Sequence, residues 1–558
     1  MRTHLPPIFE RLDSRMLLSA GDFDPAFNNG ALLKTAFDNG SCAIADVKAL
    51  PDGGMIAAGT IRVRNGSGLT GHTLLSLVKY KFDGSLDTTF GAGGKIAATP
   101  RNMAGGFKLQ LTPDGGFIVM GAPSTSGDIN DASGGEFLLK FTAAGKVDTT
   151  FGKNGVLKPS DRMSSFTVDP HGRILIEGWR LQGQATASDA ILTRYTRAGR
   201  LDTTFGTNGQ FVVSAPASLS MNFNSIAFDA QGRILAGLLR RSGVADQNSL
   251  IIYRLTDKGG IDRNYANNGS TAVALAYNGD SYDGREIARV LDDGSIILRG
   301  RTIVRVNANG QLDTNYGTGG TAEITLNWQT QPLAPVDGLF SRELYNQFAV
   351  GADGSVVYVP YTPGLELIRI NPQGHIDASF ASAGTVALEP TADPTDGYLT
   401  AVDIAPDGSI VAAGEDGSES ASGKVDTRAG VVGRVLGGAG PAVQIVPRTI
   451  TKSTRYLSIT CFIRDTDKVD LGTLDNSDLK LFDVAGSTRR FRFVSSEDVH
   501  GEGKYIAARY RIIGPKSAAW SSAANGTYQV RLQRKQIADT NLHFAAAQVL
   551  GTVRVSIA

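Results

Sequence analysis

Short apolar runs separated by glycine turns make up the chain from residue 21 to residue 438. Several runs are apolar at consecutive positions, as in GFIVMG at 116–121 and GSIVAAG at 408–414. A short run of this kind indicates a strand that is buried on both faces. We find no long segment with the 3.6-residue period of an amphipathic helix. The pattern therefore predicts an all-β protein.

A repeated motif divides this region into units. LDTTFG occurs at 86–91 and 201–206, VDTTFG occurs at 147–152, and weaker copies occur elsewhere. The aspartates of the seven copies are Asp24, Asp87, Asp148, Asp202, Asp262, Asp313 and Asp377. The aromatic residues three positions later include Phe90, Phe151, Phe205, Tyr265, Tyr316 and Phe380. Successive aspartates are 51 to 64 residues apart, so one unit is about 60 residues long.

Two further markers follow the same period. A turn glycine precedes an apolar run at Gly53, Gly115, Gly172, Gly232, Gly294, Gly354 and Gly408. Aspartate comes before five of these glycines, and Asp-Gly between apolar runs predicts a two-residue type I′ hairpin turn. A basic residue ends another apolar run at Lys79, Lys140, Arg194, Arg254, Arg305, Arg369 and Arg434. The first six basic residues each lie eight positions before the next repeat aspartate.

Each unit has room for four short strands joined by glycine turns. Four strands in each of seven units predict a seven-bladed β-propeller at residues 21–438. A solenoid is the alternative, but solenoids favour shorter repeats of constant length. The variable unit length suits the loops of propeller blades.

The motif also resembles a known repeat family. The string KFDGSLDTTFGAGGK at 81–95 is similar to the delta-60 repeat of bacterial exported proteins. Residues 195–209 match the same pattern, except that Ala198-Gly199-Arg200 replaces Asp-Gly-Ser. The resemblance covers most of residues 21–438 and implies a propeller-like array without a known enzymatic role. The units that contain Asp24 and Asp262 depart furthest from the pattern.

The repeated polar residues allow two interpretations. The aspartates could form a ring of carboxylates that binds a cation, or each could accept hydrogen bonds from its own turn. The basic residues could form a cationic ring, or each could pair with a repeat aspartate. We favour the structural role in both cases, because a residue that serves the fold recurs in every unit. The aromatic residues are expected to pack between blades.

The period ends after Arg434, and a Gly-rich linker is expected at 439–441. Residues 442–558 contain seven predicted strands at 442–446, 456–464, 479–484, 490–494, 505–512, 527–532 and 552–557. Seven strands in this length predict an immunoglobulin-like β-sandwich. NGTYQVRL at 525–532 and QIADT at 536–540 resemble the end of bacterial immunoglobulin-like modules, although the family's glycine after DT is absent. The acidic stretch Asp465, Asp467, Asp470, Asp475 and Asp478 could hold calcium, but solvated loop carboxylates are favoured.

The cellular location expected for the protein is inferred from its N-terminal sequence. Its longest apolar stretch, at 16–18, is shorter than a standard signal peptide requires. The string FERLDSRMLLSAGD at 9–22 nevertheless resembles the leader of large exported proteins of planctomycete bacteria. Residues 1–20 are therefore expected to be an export leader, and the protein to be secreted or displayed on the bacterial surface. No run of 18 apolar residues exists, so no transmembrane span is expected.

Composition and residue spacing argue against nucleic-acid binding and give no pattern of a catalytic or metal site. The chain of 558 residues has 55 Lys and Arg against 54 Asp and Glu, which argues against a nucleic-acid partner. Cys42 and Cys461 are the two cysteines and are not expected to pair. The six histidines lack metal-ligand spacing, and the loop beginning at Asp128 departs from a calcium loop at Ser133 and Leu139. No catalytic, cofactor-binding or metal-binding residue is predicted, and calcium is the one cofactor kept open.

These observations favour a non-enzymatic extracellular or cell-surface protein that uses the propeller as a binding platform. The sandwich would serve as a spacer or attachment module. The expected partner is an unidentified protein or glycan, and the chain is expected to be a monomer. The alternative is a secreted propeller hydrolase or lyase that acts on polysaccharide. An enzyme should bring the irregular loops 124–136, 277–285 and 329–343 to one rim with unique polar residues.

Overall fold

The structure, a computed structural model, describes much of residues 20–557. The residues between these limits that it does not describe are 25–26, 36–39, 66–67, 102, 124–134, 183–186, 217–218, 242–248, 275–285, 301, 326–346, 361–364, 382, 389–396, 406–407, 417–428, 438–441, 446–447, 466–467, 484–486, 500–502, 504, 515–518, 534–535, 539–544 and 546–548. The expected leader, the linker, most of loop 124–136 and the loops 277–285 and 329–343 lie outside the described residues.

Most of the described chain before residue 436 forms successive four-stranded sheets. Strand β1 spans Leu33–Thr35. The first sheet contains β2 (Gly40–Ala49), β3 (Met55–Asn65), β4 (Gly68–Tyr80) and β5 (Lys95–Arg101). The second contains β6 (Met103–Leu111), β7 (Phe117–Pro123), β8 (Phe137–Phe141) and β9 (Val156–Leu157). The third contains β10 (Arg162–Val168), β11 (Ile174–Leu181), β12 (Ser188–Tyr195) and β13 (Gln210–Val213).

The remaining sheets of this region repeat the arrangement. The fourth contains β14 (Ser220–Phe228), β15 (Ile234–Arg241), β16 (Ser249–Leu255) and β17 (Ser270–Ala274). The fifth contains β18 (Glu286–Val290), β19 (Ile296–Arg299), β20 (Thr302–Val306) and β21 (Thr321–Thr325). The sixth contains β22 (Phe348–Val350), β23 (Val356–Tyr358), β24 (Glu366–Ile370) and β25 (Thr385–Ala387). The seventh contains β26 (Gly397–Ile404), β27 (Ile410–Asp416), β28 (Ala429–Val435) and, from the start of the chain, β1.

Strand pairing within each sheet is antiparallel. A single parallel pairing of Ser188 with Ser220 also joins the third sheet to the fourth. The second strand of a sheet carries the consecutive apolar residues and is buried on both faces, as in the first five residues of β11. The described residues contain strands and two 3-10 helices but no α-helix, which confirms the all-β prediction.

The turn between the first and second strands differs from the one expected. Gly53 has a φ of 79°, but Asp52 before it does not adopt a positive φ, as a type I′ turn would require. Gly53 N donates to Leu50 O at 2.9 Å, and Leu50 N donates to Gly54 O at 2.9 Å. These bonds define a type I turn followed by a left-handed glycine. The expectation of type I′ turns was therefore wrong, because Asp-Gly also fits this longer turn.

The first strands of the sheets lie side by side in chain order. Strand β2 contacts β6, and the series continues through β10, β14, β18, β22 and β26. Strand β26 in turn contacts β2. The seventh sheet is completed by the start of the chain, where Leu33 pairs with Val432 and Thr35 pairs with Gly430. The two ends of the repeat region therefore meet.

Residues 442–557 form two further sheets. Their strands are β29 (Ala442–Ile445), β30 (Arg448–Ile450), β31 (Tyr456–Arg464), β32 (Leu479–Phe482), β33 (Thr488–Arg490), β34 (Arg492–Asp498), β35 (Tyr505–Ile513), β36 (Gly526–Leu532) and β37 (Val549–Val555). One sheet has the order β29-β31-β35-β34, and the other has the order β30-β37-β36-β32-β33. The expectation of seven strands here was wrong, because β30 and β33 are only three residues long and leave almost no periodic signal.

Side chains from both of these sheets form a single core. Cys461 of β31 and Val530 of β36 belong to it, together with the fully buried Trp520. The 3-10 helices span Leu471–Thr473 and Ser522–Ala524. Cys42 and Cys461 are both buried and unbridged. In the described part of the chain no helix is long and apolar enough to cross a membrane.

Deleting residues 21–40 tests whether the two ends of the repeat region support the whole array. We expect the urea midpoint of the main unfolding transition to fall. The deletion removes β1 from the edge of β28 and leaves Arg434 without the Asp24 carboxylate. Removing one partner of a buried ion pair costs about 3–5 kcal/mol. Circular dichroism in urea measures the effect, with a deletion of residues 2–19 as the control; an unchanged midpoint after the 21–40 deletion would contradict closure.

Candidate functional site

The repeated basic residues and aspartates are in contact in all seven units. In six units the pair joins the end of the third strand to the motif that follows that strand, and in the seventh Arg434 of β28 pairs with Asp24 near the start of the chain. The nitrogen-to-oxygen distances are 2.9 Å for Lys79–Asp87, 3.2 Å for Lys140–Asp148, 2.8 Å for Arg194–Asp202, 2.9 Å for Arg254–Asp262, 2.6 Å for Arg305–Asp313, 3.3 Å for Arg369–Asp377 and 2.7 Å for Arg434–Asp24. The pairing uses one oxygen of each carboxylate.

The other carboxylate oxygen holds the motif's own turn. Asp202 Oδ1 accepts hydrogen bonds from the backbone N of Thr204 at 3.2 Å and from its hydroxyl at 2.6 Å. Asp87 makes the same two bonds with Thr89, and the hydroxyl bond is the main cause that lowers the pKa of Asp87. This arrangement is an Asx turn. Both oxygens of these aspartates are therefore already used by protein donors.

The motif's aromatic ring lies beneath a hairpin turn of the next sheet. Phe205 of the third unit is fully buried, and a Cβ added at Gly259 of the fourth would come within 2.7 Å of the Phe205 ring. Gly206 N donates to Lys258 O at 2.8 Å in the same contact. A larger residue at Gly259 would displace the ring, and the positive φ of 79° also favours glycine there.

The arginine of the unit binds both sides of this contact. The Arg194 guanidinium lies 4.6 Å from the centre of the Phe205 ring, and its Nη1 donates to Asp257 O of the next sheet. Arg305 does the same with Tyr316 and Pro372 O. We call the basic residue, the aspartate and the aromatic residue of one unit a latch. A latch fixes its own turn and also holds the neighbouring sheet.

The seventh latch closes the array across the whole repeat region. Arg434 lies in β28, whereas its partners Asp24 and Phe27 lie near the start of the chain. Asn28 N next to this latch donates to Asp83 O of the first unit at 3.0 Å. The N-terminal segment is therefore held by the seventh sheet and by the first.

A second group of residues, most of them polar, lies on or directly beside the first strands, around the axis of the ring that these strands form. Two residues before the hairpin turn, the seven first strands carry Lys48, Gln110, Thr167, Ala227, Arg289, Ala349 and Asp403. Two residues earlier they carry Asp46, Lys108, Ser165, Ser225, Ile287, Gln347 and Ala401. We call these the turn layer and the second layer. Unlike the latches, the layers have a different residue in almost every unit.

Several layer side chains bridge neighbouring sheets. Asp46 Oδ2 accepts from Leu109 N at 2.8 Å, and Asp403 Oδ2 accepts from Ala49 N at 3.0 Å. Arg289 Nη1 donates to Val350 O at 2.9 Å. Because buried backbone N–H and C=O groups must find partners, these side chains complete the contacts between sheets.

The turn layer concentrates charge from different sheets. Burial raises the pKa of Asp403, while the Lys48 ammonium acts to lower it. Protein atoms around the Arg289 guanidinium reduce its solvation and so lower its pKa, against the opposing effect of Asp292 and Asp403. The Asp403 carboxylate thus interacts electrostatically with Lys48 of the first sheet and Arg289 of the fifth. This indicates that these side chains converge on the ring axis. Among the described residues Arg289 has no ion pair and remains exposed to water.

Glu177 lies beside the second layer and is a buried acid. It is 1% exposed on β11, opposite Ser165 of β10, whose hydroxyl accepts from Lys108 Nζ at 2.5 Å. Thr167 Oγ1 donates to Glu177 Oε1 at 3.2 Å, whereas Oε2 has no partner among the described residues. Burial raises the pKa of Glu177 to about 7, with Lys108 acting to lower it and Glu286 to raise it.

Sequence reasoning selected the latch residues and missed the two layers. The structure places the latches at the contacts between sheets and the layers on the first strands. The signal for the layers was present, because Lys48, Arg289 and Asp403 are charged residues near the ends of the first strands. Each occurs once, so a search for repeats passes over them.

The acidic stretch of the C-terminal region is only partly a solvated loop. Asp478 is fully buried, accepts a hydrogen bond from the Tyr510 hydroxyl, and accepts a 2.8 Å bond from Asp475 N. Burial raises the pKa of Asp478 to about 6. The expectation of a solvated carboxylate was wrong for Asp478. In the described chain no group of three or more His, Cys, Asp or Glu is arranged to hold a metal, and Asp467 lies outside the described residues.

Comparisons with known proteins find similarity only at the level of solved structures. No family model matches the chain, and no curated protein matches it. A catalytically inactive virginiamycin B lyase from Staphylococcus aureus, crystallised with quinupristin, is 12% identical with a TM-score of 0.40, covering 72% of this chain and 98% of the lyase. The Dos1 propeller is 10% identical with a TM-score of 0.36, covering 73% and 95%. An α-L-arabinanase from Penicillium chrysogenum, complexed with arabinobiose, is 8% identical with a TM-score of 0.35, covering 73% and 97%.

The raised pKa of Glu177 predicts a pH-dependent stability. Because the folded protein binds this proton more tightly than the unfolded chain, the contribution is complete below pH 4.5 and is lost as the pH rises through 7. A shift of this size corresponds to about 3 kcal/mol. We therefore expect Glu177→Gln to raise the free energy of unfolding by about 1–3 kcal/mol at pH 8 and to have little effect at pH 4.5.

Urea denaturation at both pH values measures this difference. Glu497→Gln is the control, because Glu497 is 71% exposed and should change stability little at either pH. An equal effect of Glu177→Gln at pH 4.5 and pH 8 would show that Glu177 does not titrate as a buried acid.

Proposed function

We propose that the chain is a non-enzymatic binding protein built as a seven-bladed β-propeller followed by an immunoglobulin-like β-sandwich. The domains would span residues 21–438 and 442–558. Seven four-stranded sheets whose first strands neighbour one another in order support the propeller. The orders β29-β31-β35-β34 and β30-β37-β36-β32-β33 support the sandwich, because they follow the A-B-E-D and A′-G-F-C-C′ arrangement of immunoglobulin domains. The delta-60 resemblance fits the same assignment.

The observation that supports a binding role is the set of residues in the turn layer. The repeated polar residues are used in latches, whereas Lys48, Arg289 and Asp403 differ from unit to unit and share one end of the first strands. Most hydrogen-bond donors of the Arg289 guanidinium are available to a ligand, since its one described hydrogen bond uses Nη1. A guanidinium beside a carboxylate and an ammonium suits a polar ligand that carries hydroxyl or carboxyl groups. A glycan is the ligand class that we favour.

A polysaccharide hydrolase or lyase is the second candidate, and Glu177 is the observation that favours it. A carboxyl group with a pKa of about 7, which the Glu286 carboxylate acts to raise, has the properties of a general acid or base. Glu177 is 1% exposed, however, so a substrate would reach it only after the first strands rearranged. The exposed Arg289 needs no such rearrangement, and the binding role therefore ranks first.

The proposed location is the outside of a bacterial cell, either secreted or attached to the surface. The support is the resemblance of residues 9–22 to planctomycete export leaders. Residues 1–20 fused to a reporter should carry it out of the cytoplasm of a planctomycete host. A reporter that stays in the cytoplasm would remove this support.

A glycan array probed with the purified full chain tests the binding role. We expect Arg289→Ala to weaken binding of the best glycan at least tenfold. Arg263→Ala is the matched control, because Arg263 is an exposed arginine of the same region whose one side-chain hydrogen bond among the described residues is to Asn268. Equal binding by all three proteins would contradict a site in the turn layer. Release of new sugar ends from the bound glycan, abolished by Glu177→Gln, would instead establish the enzyme.

A further inference from the structure

The outer face of the sheet β29-β31-β35-β34 carries an unusual set of side chains. Leu457, Ile459, Cys461 and Ile463 of β31 are buried in the core, so the alternate residues of β31 point outward. The strand register then gives three rows across the outer face. The rows are Ser458–Arg511–Arg492, Thr460–Arg509–Ser495 and Phe462–Ala507–Glu497. We call this surface the arginine face.

The positions of the arginines on this face do not favour the stability of the sheet. Arg492 and Arg511 lie directly opposite each other on β34 and β35, and like charges in this position destabilise a sheet. In the described part of the chain, neither has an ion pair. Arg509, on the same face, is 63% exposed and reaches Glu497 only at 3.9 Å. An external anion would relieve this repulsion.

Aromatic rings accompany the arginines. Phe462 and Tyr505 stack with their ring centres 5.9 Å apart, and both are partly exposed. Arg511 lies over the Tyr456 ring at 5.0 Å. Stacking on an aromatic ring holds a guanidinium in a fixed orientation, from which it can bind a carboxylate through two parallel hydrogen bonds.

The charge balance of the chain points to the same region. Residues 442–558 contain 17 Lys and Arg against ten Asp and Glu, whereas residues 1–441 contain 38 against 44. The positive charge is therefore concentrated in the C-terminal region, and the rest of the chain would repel a dense polyanion. A polymer with one carboxylate per sugar suits this distribution better than a nucleic acid.

We propose that the arginine face binds an acidic polysaccharide. Arg492, Arg509 and Arg511 pair with its carboxylates, and the hydroxyl of Thr460 is placed to bond its hydroxyl groups. The partly exposed rings of Phe462 and Tyr505 pack against the apolar faces of the sugars. The C-terminal region thereby attaches the protein to an anionic polymer, independently of the turn layer.

Affinity electrophoresis of the full chain in polygalacturonate tests this proposal, with dextran as the neutral polymer. We expect retardation by polygalacturonate alone. The triple variant Arg492→Gln, Arg509→Gln, Arg511→Gln should bind at least tenfold more weakly, and Arg509→Gln alone about threefold more weakly. Phe462→Ala should also weaken binding several-fold without any change of charge. Arg263→Ala, at an exposed arginine outside both this face and the turn layer, should bind as the wild type does.

The charge-matched control removes three cations from the other sheet of the same region. Lys480→Gln, Arg490→Gln, Arg554→Gln should bind within twofold of the wild type. Removing Arg492 and Arg511 relieves repulsion, so the melting temperature of the triple variant should not fall. An equal loss of binding in the control variant would overturn the proposal, as would equal retardation by dextran or tighter binding of a DNA duplex.

Discussion

The structure depends on a contact that no unit can complete alone. Most latches pack the aromatic ring beneath a turn of the next sheet, and Arg194 and Arg305 also donate to that turn's backbone. A unit therefore buries its core only when its neighbour is present, which is the general condition for repeat architectures. The last unit has no successor in sequence. The start of the chain takes the place of a successor, because Asp24 pairs with Arg434 and β1 pairs with β28.

The repeated and the unique polar residues have different tasks. The latches use both oxygens of the described aspartates and most of the arginine donors, which leaves little for a ligand. The first strands carry residues that change from unit to unit, so the turn layer is where an individual function can be encoded. The same separation holds in the C-terminal region, where buried polar residues such as Asp478 serve the core and the arginine face lies outside it.

Much of the fold could be predicted from the sequence, because consecutive apolar runs and turn glycines are local signals. The eight-residue spacing between Arg194 and Asp202 also suggested that the two residues could meet across a hairpin. The turn type could not be predicted, since Asp-Gly fits two kinds of hairpin. The charged residues of the turn layer are visible in the sequence, but their meeting at one axis could not be predicted, because register and the neighbouring sheet decide which residues share an axis. Tyr265 and Tyr316 bury their hydroxyls without a partner among the described residues, a cost that the sequence motif does not reveal.

A double-mutant cycle between Asp24 and Arg434 tests the central claim most directly. The free energy of unfolding is measured for Asp24→Asn, Arg434→Gln and the double variant, alongside the same cycle for Asp202 and Arg194. Ring closure predicts that residues 24 and 434 are coupled by at least about 1 kcal/mol, as residues 202 and 194 are, because coupled contacts give about 0.5–3 kcal/mol. A coupling of zero between 24 and 434, with the other pair coupled, would show that the ends of the array do not meet.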